Sequence, residues 1–88
     1  MVRRRVVVEG RVQGVGYRAA CAARAQAAGV GGRVRNLPDG RVEAVFEGPP
    51  ASVDALVAWC EHGPAFAHVH RVRVTDEPPR GESVFHVA

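Results

Sequence analysis

Several features that are common in small enzymes and binding proteins are absent from this sequence. All 12 basic residues are arginine and none is lysine, so the chain lacks the lysine of a Walker-type phosphate-binding loop. No apolar run approaches the roughly 18 residues that a transmembrane helix needs. The basic residues 3–5 precede an apolar stretch that is too short for a signal peptide. We therefore expect no membrane span and a cytoplasmic location.

Cysteine and histidine, the residues most often found around metal ions, are few and poorly spaced for a metal site. Cys21 and Cys60 fit neither a CxxC motif nor a disulfide framework. The 4 histidines contain no i, i+4 pair, and no carboxylate motif accompanies them. We expect both cysteines to be small buried apolar residues, and we expect no metal ion or other cofactor.

The length and the apolar pattern limit the fold. Eighty-eight residues, 47% of them hydrophobic, predict one domain spanning residues 1–88 with a two-layer core. Periodicity and the glycine and proline breaks predict the order β-α-β-β-α-β plus a short fifth strand. Right-handed crossovers then place both helices on one face of a largely antiparallel sheet, the ferredoxin-like α+β arrangement. The expected strands are 3–10, 30–36, 41–47, 69–76 and 83–87, and the expected helices are 17–28 and a segment from Pro50 that ends before Gly63.

The two sides of the third strand differ in character. Glu43 and Glu47 share one side and are placed to pair across the hairpin with Arg33 and Arg35. We expect this side to be a solvated face, where such pairs contribute only about 0.2–1 kcal/mol each. The other side is expected to face the core and carries Val42, Ala44 and Phe46.

Each helix is expected to bury one side against the sheet. Alanine blurs the pattern of the first helix, whereas the second is clearly amphipathic, with Trp59 packing beside its apolar stripe. The expected core residues are Tyr17, Ala20, Cys21 and Ala28 in the first helix, and Val53, Leu56, Val57 and Cys60 in the second.

The stretch from Gly10 to Arg18 predicts an anion-binding loop. Its glycines permit backbone conformations in which N–H groups from Gln13 to Tyr17 point into one concavity, and a helix N-terminus follows. Arg18 is placed to lean back over the loop, where its planar fork binds two phosphate oxygens at once. The expected phosphate-binding residues are Gln13, Gly14, Val15, Gly16, Tyr17 and Arg18.

The stretch from Gly10 to Arg18 resembles the signature loop of the acylphosphatases, and the stretch from Gly32 to Glu43 resembles the second signature of that family. The spacing of the two motifs is also similar, and the resemblance extends over essentially the whole chain. In that family the matching arginine binds phosphate and the matching asparagine orients the attacking water. The resemblance therefore implies these two roles for Arg18 and Asn36. From composition alone, Asn36 is only a residue at a strand end beside a turn.

The resemblance implies hydrolysis of acyl phosphates to a carboxylate and inorganic phosphate. The sparse site agrees with that substrate, because the leaving group is a carboxylate with a pKa of about 4–5 and needs no general acid. We expect inorganic phosphate to be both product and competitive ligand, and we expect a monomer that binds no nucleic acid or membrane. Two positions depart from the family pattern: Tyr17 stands where phenylalanine is commoner, and Arg33 stands where tryptophan is usual.

Two other functions stay open at this point. The same fold presents a sheet to single-stranded RNA in some proteins, but that use needs aromatic residues on the exposed strands. Strands one and three offer only Phe46, on the side expected to face the helices. The other alternative is a domain that binds an anion without turnover, and an intact pair of Arg18 and Asn36 argues against it.

Overall fold

The computed structural model describes Met1–Ala88 and contains two helices and one sheet of five strands. No helix in it has both the length and the apolar character needed to cross a membrane. In chain order the elements are β1 (Val2–Arg11), α1 (Tyr17–Ala27), β2 (Gly31–Asn36), β3 (Val42–Gly48), α2 (Pro50–Cys60), β4 (His68–Glu77) and β5 (Phe85–Val87).

The strands lie in the order β4-β1-β3-β2-β5. Every neighbouring pair is antiparallel except β2 and β5, which run parallel. The predicted ferredoxin-like α+β fold is confirmed, and the element bounds shift by only a residue or two at most ends. The position of β1 matters for function, because this central strand carries the chain directly into the loop before α1.

The core lies between the sheet and the two helices. The predicted inward side of β3 is confirmed, since Val42, Ala44 and Phe46 are all fully buried. In α2, Val53, Leu56 and Cys60 are buried as expected, whereas Val57 is only half-buried and packs against the core from its edge. The expectation for α1 is partly wrong. Ala28 follows the end of the helix and is exposed, Ala20 is half-buried, and the alanines that join Tyr17 and Cys21 in the core are Ala22 and Ala25.

The prediction of buried free cysteines is confirmed. Cys21 on α1 and Cys60 on α2 are both completely buried and form no disulfide. A hydrogen bond to the Cys60 thiol, together with burial, raises the pKa of the Cys21 thiol. Both residues therefore act as small core residues where the two helices meet.

The expectation of a solvated surface around Glu43 and Glu47 is wrong, because both carboxylates are buried. Glu43 does accept a hydrogen bond from Arg35 (2.7 Å), as predicted. Glu47 does not pair with Arg33, since the β2–β3 register puts Gly31 opposite Glu47 and Arg33 opposite Val45.

Glu47 pairs instead with Arg3, its register partner on β1. The Arg3 guanidinium is fully buried and donates to Glu47, Glu77 and Glu82 at 3.0–3.1 Å. The Glu47 carboxylate also accepts the backbone N–H groups of Arg80 and Gly81. Hydrogen bonding to these N–H groups and to Arg3 lowers the pKa of the Glu47 carboxyl. This cluster fastens the segment between β4 and β5 to the sheet.

Candidate functional site

The candidate site lies at the end of the sheet where the pairing of β3 with its two neighbours, β1 and β2, ends. β1 pairs with β3 only as far as Val8 opposite Val42, and β2 pairs with β3 as far as Asn36 opposite the same residue. β1 continues to Arg11 paired with β4 alone. Beyond Val42 the ends of β1 and β2 are therefore two strand spacings apart, about 10 Å, with no strand between them.

The loop that leaves β1 occupies this end of the sheet and leads into α1. Gly14 and Gly16 have φ of 74° and 79°, in the left-handed region. Gly16 is the N-cap of α1, and no side chain satisfies the free N–H groups of the first turn. No backbone N–H group from Gln13 to Arg18 donates to a carbonyl oxygen of the protein. The loop and the first turn of α1 therefore present a row of free donors, as the glycine pattern predicted.

A concavity of about 290 Å³ opens at this loop. It brings together Arg18 and Asn36, which are separated in the sequence and were the two residues singled out for chemistry. Gln13 and Val15 belong to the loop but do not line the concavity. The lining residues are Val12, Gly14, Gly16, Tyr17, Arg18, Ala19, Asn36 and Val87.

Arg18 is half-buried and is the only charged residue that lines the concavity. It pairs with no aspartate or glutamate side chain, and its Nη1 donates to the backbone oxygen of Ala88 at 2.9 Å. A guanidinium carries five N–H donors in a rigid fork, so most of its donors stay available. The contact with Ala88 and the place of Val87 in the lining have no counterpart in the sequence pattern.

Asn36 ends β2 and is half-buried. Its side-chain amide makes no hydrogen bond to the protein, although it lines the concavity. The adjoining turn closes as predicted, with the Leu37 N–H donating to the Arg41 carbonyl oxygen (2.8 Å) and the Gly40 N–H donating to the Leu37 carbonyl oxygen (3.2 Å). An amide without a protein partner, held at a strand end, is free to bind a water molecule or a ligand.

Tyr17 is the first residue of α1, directly after the loop, and its side chain is anchored in the core. Its ring is 2% exposed and lies 5.2 Å from the ring of Trp59, which packs beside the core as predicted. The Tyr17 hydroxyl donates to the carbonyl oxygen of Cys60 at 2.7 Å. Burial is the main cause that raises the pKa of Tyr17. The phenol is therefore a structural anchor between the loop and α2.

The side chain of Gln13 has a contact that the glycine pattern did not suggest. Its Nε2 donates to the carbonyl oxygens of Leu37 (2.8 Å) and Arg41 (3.0 Å), at the two ends of the turn after Asn36. The glycine pattern predicts a role only for the backbone of this residue. A glutamine beside a glycine loop gives no sequence signal for a partner more than twenty residues away.

The arrangement as a whole fits a small tetrahedral anion. Residues with unpartnered backbone N–H groups and one arginine line the concavity, and such groups bind phosphate oxygens well. No group of three or more histidine, cysteine, aspartate or glutamate side chains is placed to hold a metal ion. Apart from Arg18, the only titratable lining residue is Tyr17, whose hydroxyl already donates to Cys60.

Comparison with known proteins points to one family. The family model for acylphosphatases matches residues 4–87. The acylphosphatase of Gloeobacter violaceus is 58% identical over 86 residues, which cover 98% of this chain and 92% of that protein. That of Rubrobacter xylanophilus is 58% identical over 79 residues, covering 90% and 72%. The crystal structure of acylphosphatase from Bacillus subtilis is similar throughout, with a TM-score of 0.96 and 35% identity, and the match covers 100% of this chain and 99% of that one.

Proposed function

The chain belongs to the acylphosphatase family and is a hydrolase of acyl phosphates, and we propose a role in this reaction for each residue of the candidate site. Arg18 and the backbone N–H groups from Gln13 to Arg18 bind the phosphoryl group. Asn36 orients a water molecule for in-line attack on phosphorus. The acyl carboxylate then leaves, and inorganic phosphate is released as the second product.

The observation that carries this proposal is the meeting of three kinds of group around one concavity. Loop residues with free backbone N–H groups line it, among them Gly14 and Gly16. They are joined by Arg18, which pairs with no acidic side chain, and by Asn36, whose amide has no protein partner. Backbone donors and a guanidinium neutralise phosphate charge at fixed positions, which lowers the barrier by electrostatic stabilisation. A positioned amide supplies the orientation that a free water molecule lacks.

The lack of an available proton donor supports an acyl phosphate over a phosphate ester. An alkoxide leaving group needs a general acid, whereas a carboxylate leaves unassisted near neutral pH. Tyr17 is a poor acid here, because burial raises its pKa and its proton is committed to the Cys60 carbonyl oxygen. We infer that the reaction proceeds without a metal ion and that inorganic phosphate competes with the substrate.

The single-stranded RNA alternative gains no support. Phe46 stacks on Phe85 in the core with ring centroids 5.7 Å apart, so neither ring is available to stack on a base. Absence of nucleic-acid binding, a monomeric state and a cytoplasmic location stay predictions.

The experiment that tests the proposal follows hydrolysis of benzoyl phosphate by ultraviolet absorbance. We expect metal-free turnover by the wild type and a loss of roughly 100-fold or more in kcat/KM for Arg18→Ala and Arg18→Lys, since lysine offers a point charge in place of the fork. Arg24→Ala is the matched control, because Arg24 is exposed on the same helix and lies over Trp59 instead of the concavity. Near-normal turnover by Arg18→Lys would contradict the proposed role of the Arg18 guanidinium in phosphate binding. No turnover by the wild type, with phosphate still protecting it against heat, would favour an anion-sensing domain.

A further inference from the structure

We propose that the side chain of Gln13 is a positioning residue, which sets the distance between the phosphate-binding loop and Asn36. This inference rests on the proposed function, since it concerns how the two halves of that site are held together. The Gln13 side chain makes no hydrogen bond to Arg18 or to Asn36. Its side chain lies outside the lining of the concavity and reaches the turn that follows Asn36.

The two halves of the site need such a link because they lie on strands that are not neighbours. The loop extends from β1, and Asn36 ends β2, with β3 between these strands in the sheet. β3 begins only at Val42, opposite both Val8 and Asn36. Past that row, no ladder hydrogen bonds join the β1 side to the β2 side.

Gln13 crosses this opening. Its amide donates both N–H groups, one to the Leu37 carbonyl oxygen at 2.8 Å and one to the Arg41 carbonyl oxygen at 3.0 Å. Both partners are carbonyl oxygens, so only the nitrogen end of the amide satisfies them. The Arg41 oxygen also accepts the Leu37 N–H that closes the turn. Gln13 is thus bonded to both ends of the turn that Asn36 enters.

This link is relevant to the rate because catalysis by a positioned water tolerates little displacement. A misplacement of about 1 Å costs up to roughly 100-fold in rate. The phosphate donors lie on the loop itself and keep their arrangement if the loop and the turn separate slightly. Loss of the Gln13 bridge should therefore reduce kcat and leave phosphate affinity largely intact.

The test compares Gln13→Met, which keeps the length and removes both donors, with Gln13→Glu, which places a carboxylate against two carbonyl oxygens. We expect kcat for benzoyl phosphate to fall about 10- to 100-fold in both, while the inhibition constant of inorganic phosphate changes by less than about 3-fold. Gln26→Met is the matched control, because Gln26 donates to the Phe85 carbonyl oxygen (3.4 Å) away from the concavity. We expect its kcat to stay at the wild-type value.

A double variant separates positioning from general support of the fold. If Gln13 acts through Asn36, Gln13→Met should reduce kcat little further in an Asn36→Ala background. An equal loss in both backgrounds, unchanged kcat in Gln13→Met, or a parallel loss of phosphate affinity would each overturn the inference. These outcomes are distinct from failure of the proposed function, in which the wild type itself does not turn over the substrate.

Discussion

Replacing Glu43 by glutamine should lower the stability of the protein more than replacing an exposed charged residue on a sheet surface usually does. The Glu43 side chain is only 3% exposed and accepts hydrogen bonds from Arg5 (2.5 Å) and Arg35 (2.7 Å). It thereby joins β1, β3 and β2 through one carboxylate. Burial alone would raise the pKa of this carboxyl, but the hydrogen bonds from the two guanidinium groups outweigh it and hold the pKa below its usual value of 4.5.

The expected loss in the free energy of unfolding at pH 7 is about 2 kcal/mol. Hydrogen bonds to charged groups contribute about 1.5–3 kcal/mol each. That range must be reduced, because the Arg5 and Arg35 side chains are 39% and 48% exposed and water solvates them once the carboxylate is gone. For a domain of this size, 2 kcal/mol corresponds to a Tm lower by roughly 8–16 °C.

The effect should depend on pH with a definite sign. A carboxyl whose pKa is lowered in the folded state stabilises the fold above its unfolded pKa, and the contribution is lost as the pH falls through the folded pKa. The difference in Tm between wild type and Glu43→Gln should therefore be constant from about pH 6 to 8 and shrink below the usual carboxyl value of 4.5.

Thermal unfolding followed by circular dichroism across this pH range measures the effect. Glu9→Gln is the control, since Glu9 lies on the neighbouring strand β1 but forms only an exposed, 3.6 Å pair with Arg71, for which about 0–1 kcal/mol is expected. Equal Tm values for Glu43→Gln and Glu9→Gln at pH 7 would refute the reasoning. So would a Tm difference that persists unchanged at pH 3.

Two further predictions concern the site. Asn36→Ala should lower kcat for benzoyl phosphate by roughly 100-fold while the inhibition constant of inorganic phosphate stays near the wild-type value; lost phosphate binding would instead make Asn36 part of the anion-binding group. Prolonged treatment with a chelator such as EDTA should leave turnover unchanged in a buffer without added metal, and inhibition that added metal reverses would reveal a metal requirement.

Local patterns predicted the elements of this fold well, because side-chain alternation and backbone breaks are properties of short segments. Alternation in β3 correctly placed Val42, Ala44 and Phe46 in the core. Alternation assigns a face but not a register, and the register is what puts Arg3, instead of Arg33, beside Glu47. The burial of that pair also depends on the segment at 80–82, whose position no local pattern predicts.

The same distinction applies to the candidate site. The loop from Gln13 to Arg18 could be read from its glycines and its helix start, and the structure places Arg18 and Asn36 at one concavity. The long-range contacts of Gln13 and Arg18 could not be predicted from the sequence. The Gln13 bridge depends on where β3 begins, and the contact of Arg18 with Ala88 depends on β5 adding in parallel beside β2.

The free N–H groups of the loop have a consequence for how mutations are tolerated. Any residue except proline carries a backbone N–H, so most substitutions at Val15 keep the free N–H group of this position. Gly14 and Gly16 are less tolerant because of their positive φ, not because of crowding, since a Cβ there meets nothing within 4 Å. A scan of every substitution in this loop should therefore give a profile shaped by backbone geometry. Proline would be excluded broadly, and the two glycines would admit asparagine and aspartate more readily than β-branched residues. Only Gln13, Tyr17 and Arg18 would stand out as positions that depend on their side-chain chemistry.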